Sequence, residues 1–85
     1  MAKLPAITGK QLIRLLTCDG WEERGQRTHG IALRKFCSDG RTRITVVPNK
    51  KVPLPEGTIH DILGRDQTNI GHSGLVELIQ KYGLR

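Results

Sequence analysis

No apolar run in this 85-residue sequence approaches the ~20 residues that a membrane span needs. The opening "MAKLPAIT" holds no secretory apolar segment, so the expected location is the cytoplasm, away from any membrane. Cysteine is scarce. Cys18 and Cys37 stand alone, form no C-x-x-C pair, and read as reduced thiols rather than a disulfide. The His and Cys residues lack zinc-ligand spacing. No close carboxylate cluster offers a seat for Mg²⁺, and no cofactor is expected. Internal repeats and low-complexity segments are missing too. A chain this short makes one domain, 1–85, with a compact core; a shallow surface site suits it better than a deep cofactor pocket.

Acidic residues are few where basic ones gather. Asp39 alone opposes Arg24, Arg27, Arg34, Lys35, Arg41, Arg43, Lys50 and Lys51 between positions 24 and 51, and the whole chain carries +6. A basic stripe attracts polyanions, of which nucleic acid is the commonest. A solvated surface, or a face that meets an acidic protein, would have the same composition.

The first element is marked clearly. Thr8 and Gln11 are spaced as a capping box, with Ile7 and Leu12 placed as a hydrophobic staple. Leu12, Leu15 and Leu16 form a helical stripe, and Asp19-Gly20 supplies a stop, so a helix is predicted over 8–18. Three strand-like runs follow: "WEERGQR", "HGIALRKF" and "RTRITVV". In the third, Thr42, Ile44 and Val46 share one face, and Arg41, Arg43 and Thr45 the other. Asp39-Gly40 marks the hairpin between the last two. Pro48 ends the third strand, and "NKKVPLPEG" is a loop, since three prolines from 48 to 55 prevent regular pairing. Thr58 is expected to cap a second helix, "IHDILGRD", and Ser73 a short last one, "GLVELIQKY", closed by Gly83. The order predicts an α+β sandwich, α-β-β-β-α(-α). Its helices gather on one face of a three-stranded antiparallel sheet. Arg41 and Arg43 are expected on the open face. Trp21 is expected to anchor the core, and Phe36 and Tyr82 to lie in the core or at its rim.

Several strings, in this order, resemble the HicA family, the small ribonuclease toxins of bacterial toxin–antitoxin pairs. "TGKQLIRLLTCDGWE" looks like the family's opening helix, and "THGIALRKFCSDGRTRITVVP" like its central block. "LPEGTIHDILGR" looks like its second helix, and "GHSGLVELI" is similar to the C-terminal helix of many members. The resemblance covers nearly the whole chain. It implies a double-stranded-RNA-binding-domain-like fold and metal-independent endoribonuclease activity on mRNA. It also implies a HicB-type antitoxin as partner, and it places His29 at the family's catalytic histidine. The sequence departs from the family at Arg27-Thr28, where Gly-Ser or Gly-Gly is usual, and at Gly30, where a larger side chain is common.

The residues can carry that chemistry. RNA holds its own nucleophile, the 2′-hydroxyl beside each phosphate. A histidine titrates near neutrality and can act as base or acid. Arginine and lysine stabilise the crowded phosphorus intermediate. His29 is the candidate acid/base; packing or hydrogen bonding at a strand end is its other reading. Arg27, Thr28, Arg41, Arg43, Lys50 and Lys51 are the candidate RNA contacts. Phosphate contacts position RNA without reading its sequence, so weak sequence preference is expected. Strict alternation puts His29 on the face of Ile31 and Leu33, which requires either an irregular strand at Gly30 or a place at the sheet rim. His60 and His72 read as surface and structural residues. The chain alone is expected to be a monomer. A noncatalytic RNA-binding module, or an interaction domain for an acidic protein, are the competing functions.

Overall fold

The computed structural model describes residues 6–84; the expectation about a leader concerns residues 1–5 in part, which lie outside that range. Helix α1 (Gly9–Cys18) begins as its sequence dictates. The Gln11 amide donates to Thr8 Oγ1 at 3.1 Å, and the Thr8 amide donates to Gln11 Oε1 at 2.9 Å. Two amides that would otherwise lack partners are thus satisfied. The helix stops at Asp19-Gly20. The Gly20 amide reaches back to the Thr17 carbonyl and the Trp21 amide to the Leu16 carbonyl, with Gly20 at φ +100°. This pair of bonds is a Schellman motif, which needs a left-handed residue at Gly20. Lys35 Nζ adds a charged donor to the Asp19 carbonyl, 2.8 Å away.

Strands β1 (Glu22–Arg27), β2 (Gly30–Phe36) and β3 (Thr42–Val47) form an antiparallel sheet in the order β1-β2-β3. A bulge around Arg24 and Gly25 shifts the β1–β2 register. Asp39-Gly40 turns the chain into β3, as expected, with the Cys37 amide donating to the Arg41 carbonyl at 2.8 Å. Cys18 and Cys37 are free thiols.

Helices α2 (Glu56–Leu63) and α3 (Gly71–Tyr82) complete the chain. Both begin earlier than the cap residues suggested. Thr58 lies inside α2, whose N-cap is Pro55, and Ser73 lies inside α3, whose N-cap is Ile70; neither cap makes a side-chain bond. Pro55 has the fixed φ that leads into a helix, and Glu56 suits the positive end of the dipole. Helix α2 ends at Leu63. Thr68 then ties the following turn back, donating from both its amide and its hydroxyl to the Ile62 carbonyl. Helix α3 has 12 residues and is not the short element expected. Burial of Leu75 and Leu78 carries it through Gly71 and Gly74, poor helix formers. Gly83 closes it, as expected, through a bond to the Ile79 carbonyl. Arg14 of α1 reaches the Tyr82 and Gly83 carbonyls and clamps α1 to the end of α3.

The core joins Leu12, Leu15 and Leu16 of α1 to Leu33 and Val47 of the sheet and to Ile59, Ile62, Leu75 and Leu78 of the other helices. Trp21 anchors it, 3% exposed. Tyr82 packs at its margin. The helices therefore cover one sheet face. The other face carries Phe36 and Ile44, which are 73% and 59% exposed. Phe36 belongs neither to the core nor to its rim.

Candidate functional site

Strands β1 and β2 are joined by a two-residue turn, Thr28-His29. His29 therefore lies at the sheet's end, exposed, and not on the face of Ile31 and Leu33. The strand begins only at Gly30, and this resolves the conflict posed by strict alternation.

The loop after β3 is brought against this turn by close backbone contacts. Gly30 packs on the Val47 carbonyl, and a Cβ there would stand 2.1 Å from that oxygen. At the loop's other side, a Cβ on Gly9 would stand 1.6 Å from the Pro48 carbonyl oxygen. Only glycine allows either approach. The Lys10 amide donates to the Lys50 carbonyl at 3.1 Å, and the Lys50 amide to the Pro48 carbonyl at 3.0 Å. Further along, the Leu54 amide donates to the Ile7 carbonyl at 2.8 Å, beside a bridge between Thr8 and Pro53. The start of α1 is thus the anchor that fixes the loop.

These contacts create an open cleft of about 400 Å³ lined by Gln26, Arg27, Thr28, His29, Gly30, Pro48, Asn49 and Lys50. Its side chains include two cations and an imidazole, and no carboxylate. Neither Arg27 nor Lys50 makes an ion pair among the described residues. Their charges face solvent and are available to an anion. The backbone and amide groups of Gln26, Thr28 and Asn49 add uncharged hydrogen-bonding partners.

Four of the expected site residues meet here: Arg27, Thr28, His29 and Lys50. Lys51 is exposed next to the cleft without lining it. Arg41 and Arg43 lie at the opposite end of the hairpin, since Arg43 pairs with Lys35, six residues along β2 from His29. Arg43 also faces the helix side of the sheet and not the open side. Thr45 and Val47 share its side and are buried. Its guanidinium donates to the Arg65 carbonyl at 2.8 Å and to Asp39 at 3.2 Å. The Asp39 carboxyl is held below its ordinary value of 3.8, first by the bond from the Arg41 amide, and then, with desolvation opposing, by the bond and charge of Arg43. These arginines organise a hairpin tip.

The contribution of Pro48 and Asn49 was not visible in the sequence, where Pro48 read only as a strand end and 49–57 only as a loop. Glycine at positions 9 and 30 was the available signal. His60 and His72 lie elsewhere, around a small pocket with Leu63, Gly64 and Gly71. Among the described residues no three His, Cys, Asp or Glu side chains gather as a metal site. No helix among the described residues is long and apolar enough to cross a membrane. No protein-family model matches the chain, and no curated protein or solved structure shows significant similarity to it.

Proposed function

We propose that the protein is a metal-independent endoribonuclease of the HicA type, the toxin of a toxin–antitoxin pair, acting on mRNA in the cytoplasm. The observation that carries this reading is the exposed imidazole of His29 in a cleft with Arg27 and Lys50 and no carboxylate. The helix-backed antiparallel sheet supports a double-stranded-RNA-binding-domain-like fold.

The reaction is a transfer within the RNA. Neutral His29 accepts the proton of a 2′-hydroxyl as its oxygen attacks the adjacent phosphorus. The bond from phosphorus to the 5′-oxygen breaks, and the imidazolium returns the proton to that oxygen. The products are a 2′,3′-cyclic phosphate and a 5′-hydroxyl, and the imidazole ends as it began. Arg27 and Lys50 counter the charge on the non-bridging oxygens. A positioned acid/base contributes on the order of 100- to 10,000-fold. One such group makes a slow enzyme, and slow cleavage suffices to silence messages.

A small cationic cleft open to solvent also suits inhibition by a HicB-type antitoxin that presents acidic groups or covers His29. The decisive experiment compares wild type with His29→Ala. Growth arrest and RNA cleavage are expected to disappear, while circular dichroism and RNA affinity stay near wild type. Equal cleavage by the two proteins would remove the His29 enzyme reading and leave a noncatalytic RNA-binding module or an interaction domain for an acidic protein.

A further inference from the structure

The open face of the sheet has chemistry that the cleft does not use. In β2 the residues pointing there are Ala32, Arg34 and Phe36, and Ile44 stands beside them on β3. Arg24 and Arg27 flank them from β1, lining one shallow hollow with Ala32, Arg34 and Ile44. Phe36 extends the line toward the far end of the sheet, about 20 Å from Gly30 at strand rise. Its ring is 73% exposed. Arg27 belongs both to this hollow and to the His29 cleft. The two are one continuous surface.

From this continuity we infer that the open sheet face is a track for single-stranded RNA. The inference rests on the ribonuclease reading of the cleft. In it, a strand cut at His29 continues past Arg27 over the sheet. Arg24 and Arg34 meet its phosphates, and a base stacks on Phe36.

The composition of the face selects this occupant. Ala32, Val46, Ile44 and Phe36 share this face, but Arg24, Arg27 and Arg34 stand beside them, so the occupant must bring negative charge together with apolar or aromatic surface. An exposed ring beside guanidinium groups suits a nucleobase, which every sequence offers. A second copy of this chain is disfavoured by the net charge of +6. Among the described residues the one acid touching these arginines is Glu22, 3.9 Å from Arg24 and 3.8 Å from Arg34. Exposed pairs of that length are weak and yield to a phosphate.

The test uses a 2′-O-methyl oligoribonucleotide of about 12 nucleotides, long enough to cover such a track. It lacks the nucleophile, so binding is measured apart from cleavage. NMR amide shifts are expected in the Arg27–Gly30 turn and also at Ala32, Arg34, Phe36 and Ile44. Phe36→Ala is expected to weaken binding about tenfold, and Phe36→Trp to retain it, as stacking requires. Shifts confined to the cleft, with Phe36→Ala binding as wild type, would overturn the track and leave the ribonuclease reading standing. An alternating Leu-Glu peptide that shifts the open face where the oligonucleotide does not would assign the face to a protein and overturn the track equally. An oligonucleotide that shifts neither surface would remove both readings.

Discussion

Gly30 lies against the Val47 carbonyl so closely that a Cβ at position 30 would stand 2.1 Å from the oxygen and 2.8 Å from the Pro48 nitrogen. Its φ of +150° is also one that other residues rarely adopt. This contact joins the His29 turn to the loop that carries Lys50. Position 30 is one where the sequence departs from the HicA pattern, and here glycine is a requirement of the backbone.

Gly30→Ala is therefore expected to be costly. Backbone strain contributes about 1–3 kcal/mol, and separating the turn from the loop adds to it. For a domain this size the melting temperature should fall by about 10 °C or more. Thermal unfolding followed by circular dichroism checks this. An alanine variant that melts with the wild type would show that the turn and loop are not held by this contact.

The arginines and lysines separate into two groups with different expected behaviour. Arg27→Gln and Lys50→Gln should each weaken single-stranded RNA binding and lower the salt slope by about 0.7, the loss of one phosphate contact. Arg43→Gln should leave the slope unchanged. It should instead cost about 1–2 kcal/mol of stability, because its bonds to the Arg65 carbonyl and Asp39 are charge-assisted. Anisotropy titrations at several salt concentrations, together with denaturant melts, measure both quantities. A reduced slope for Arg43→Gln would return that residue to the RNA surface.

That partition was only half legible in the sequence. Alternation in "RTRITVV" correctly grouped Arg43 with Thr45, and Ile44 with Val46. Period-two alternation tells which residues travel together, not which set turns inward. The deciding residue is Val47, the last of the run and in the same alternating set as Arg43 and Thr45, which enters the core and takes them to the helix side. Helix α1 was readable nearly to the residue because its cap, stripe and stop are local and agree. The starts of α2 and α3 were missed because Thr58 and Ser73 are good caps in isolation, while proline geometry and burial of Leu75 and Leu78 set the actual boundaries. His29 was legible as a candidate by type and position. Its cleft was not, since the contacts of Gly9 and Gly30 with the 48–50 loop join residues far apart in the chain.

The hairpin tip gives a prediction in pH. The Asp39 carboxylate accepts a bond from the Arg41 amide at 3.0 Å and one from Arg43 at 3.2 Å, and both favour its charged form. Its folded value lies below 3.8, so its contribution to stability is complete above that pH and is lost as pH falls through the lowered value. A carboxyl-detected NMR titration should place the Asp39 midpoint below 3.8. Exchange of the Arg41 amide, corrected for intrinsic chemistry, should accelerate as the solution is acidified through that midpoint. Asp39→Asn keeps an acceptor for the amide but has no charge to lose. Its exchange should show no such step. A midpoint at or above 3.8 in the wild type would mean that neither bond favours the ionised carboxyl, and that the Asp39 contacts do not hold the tip of the β2–β3 hairpin.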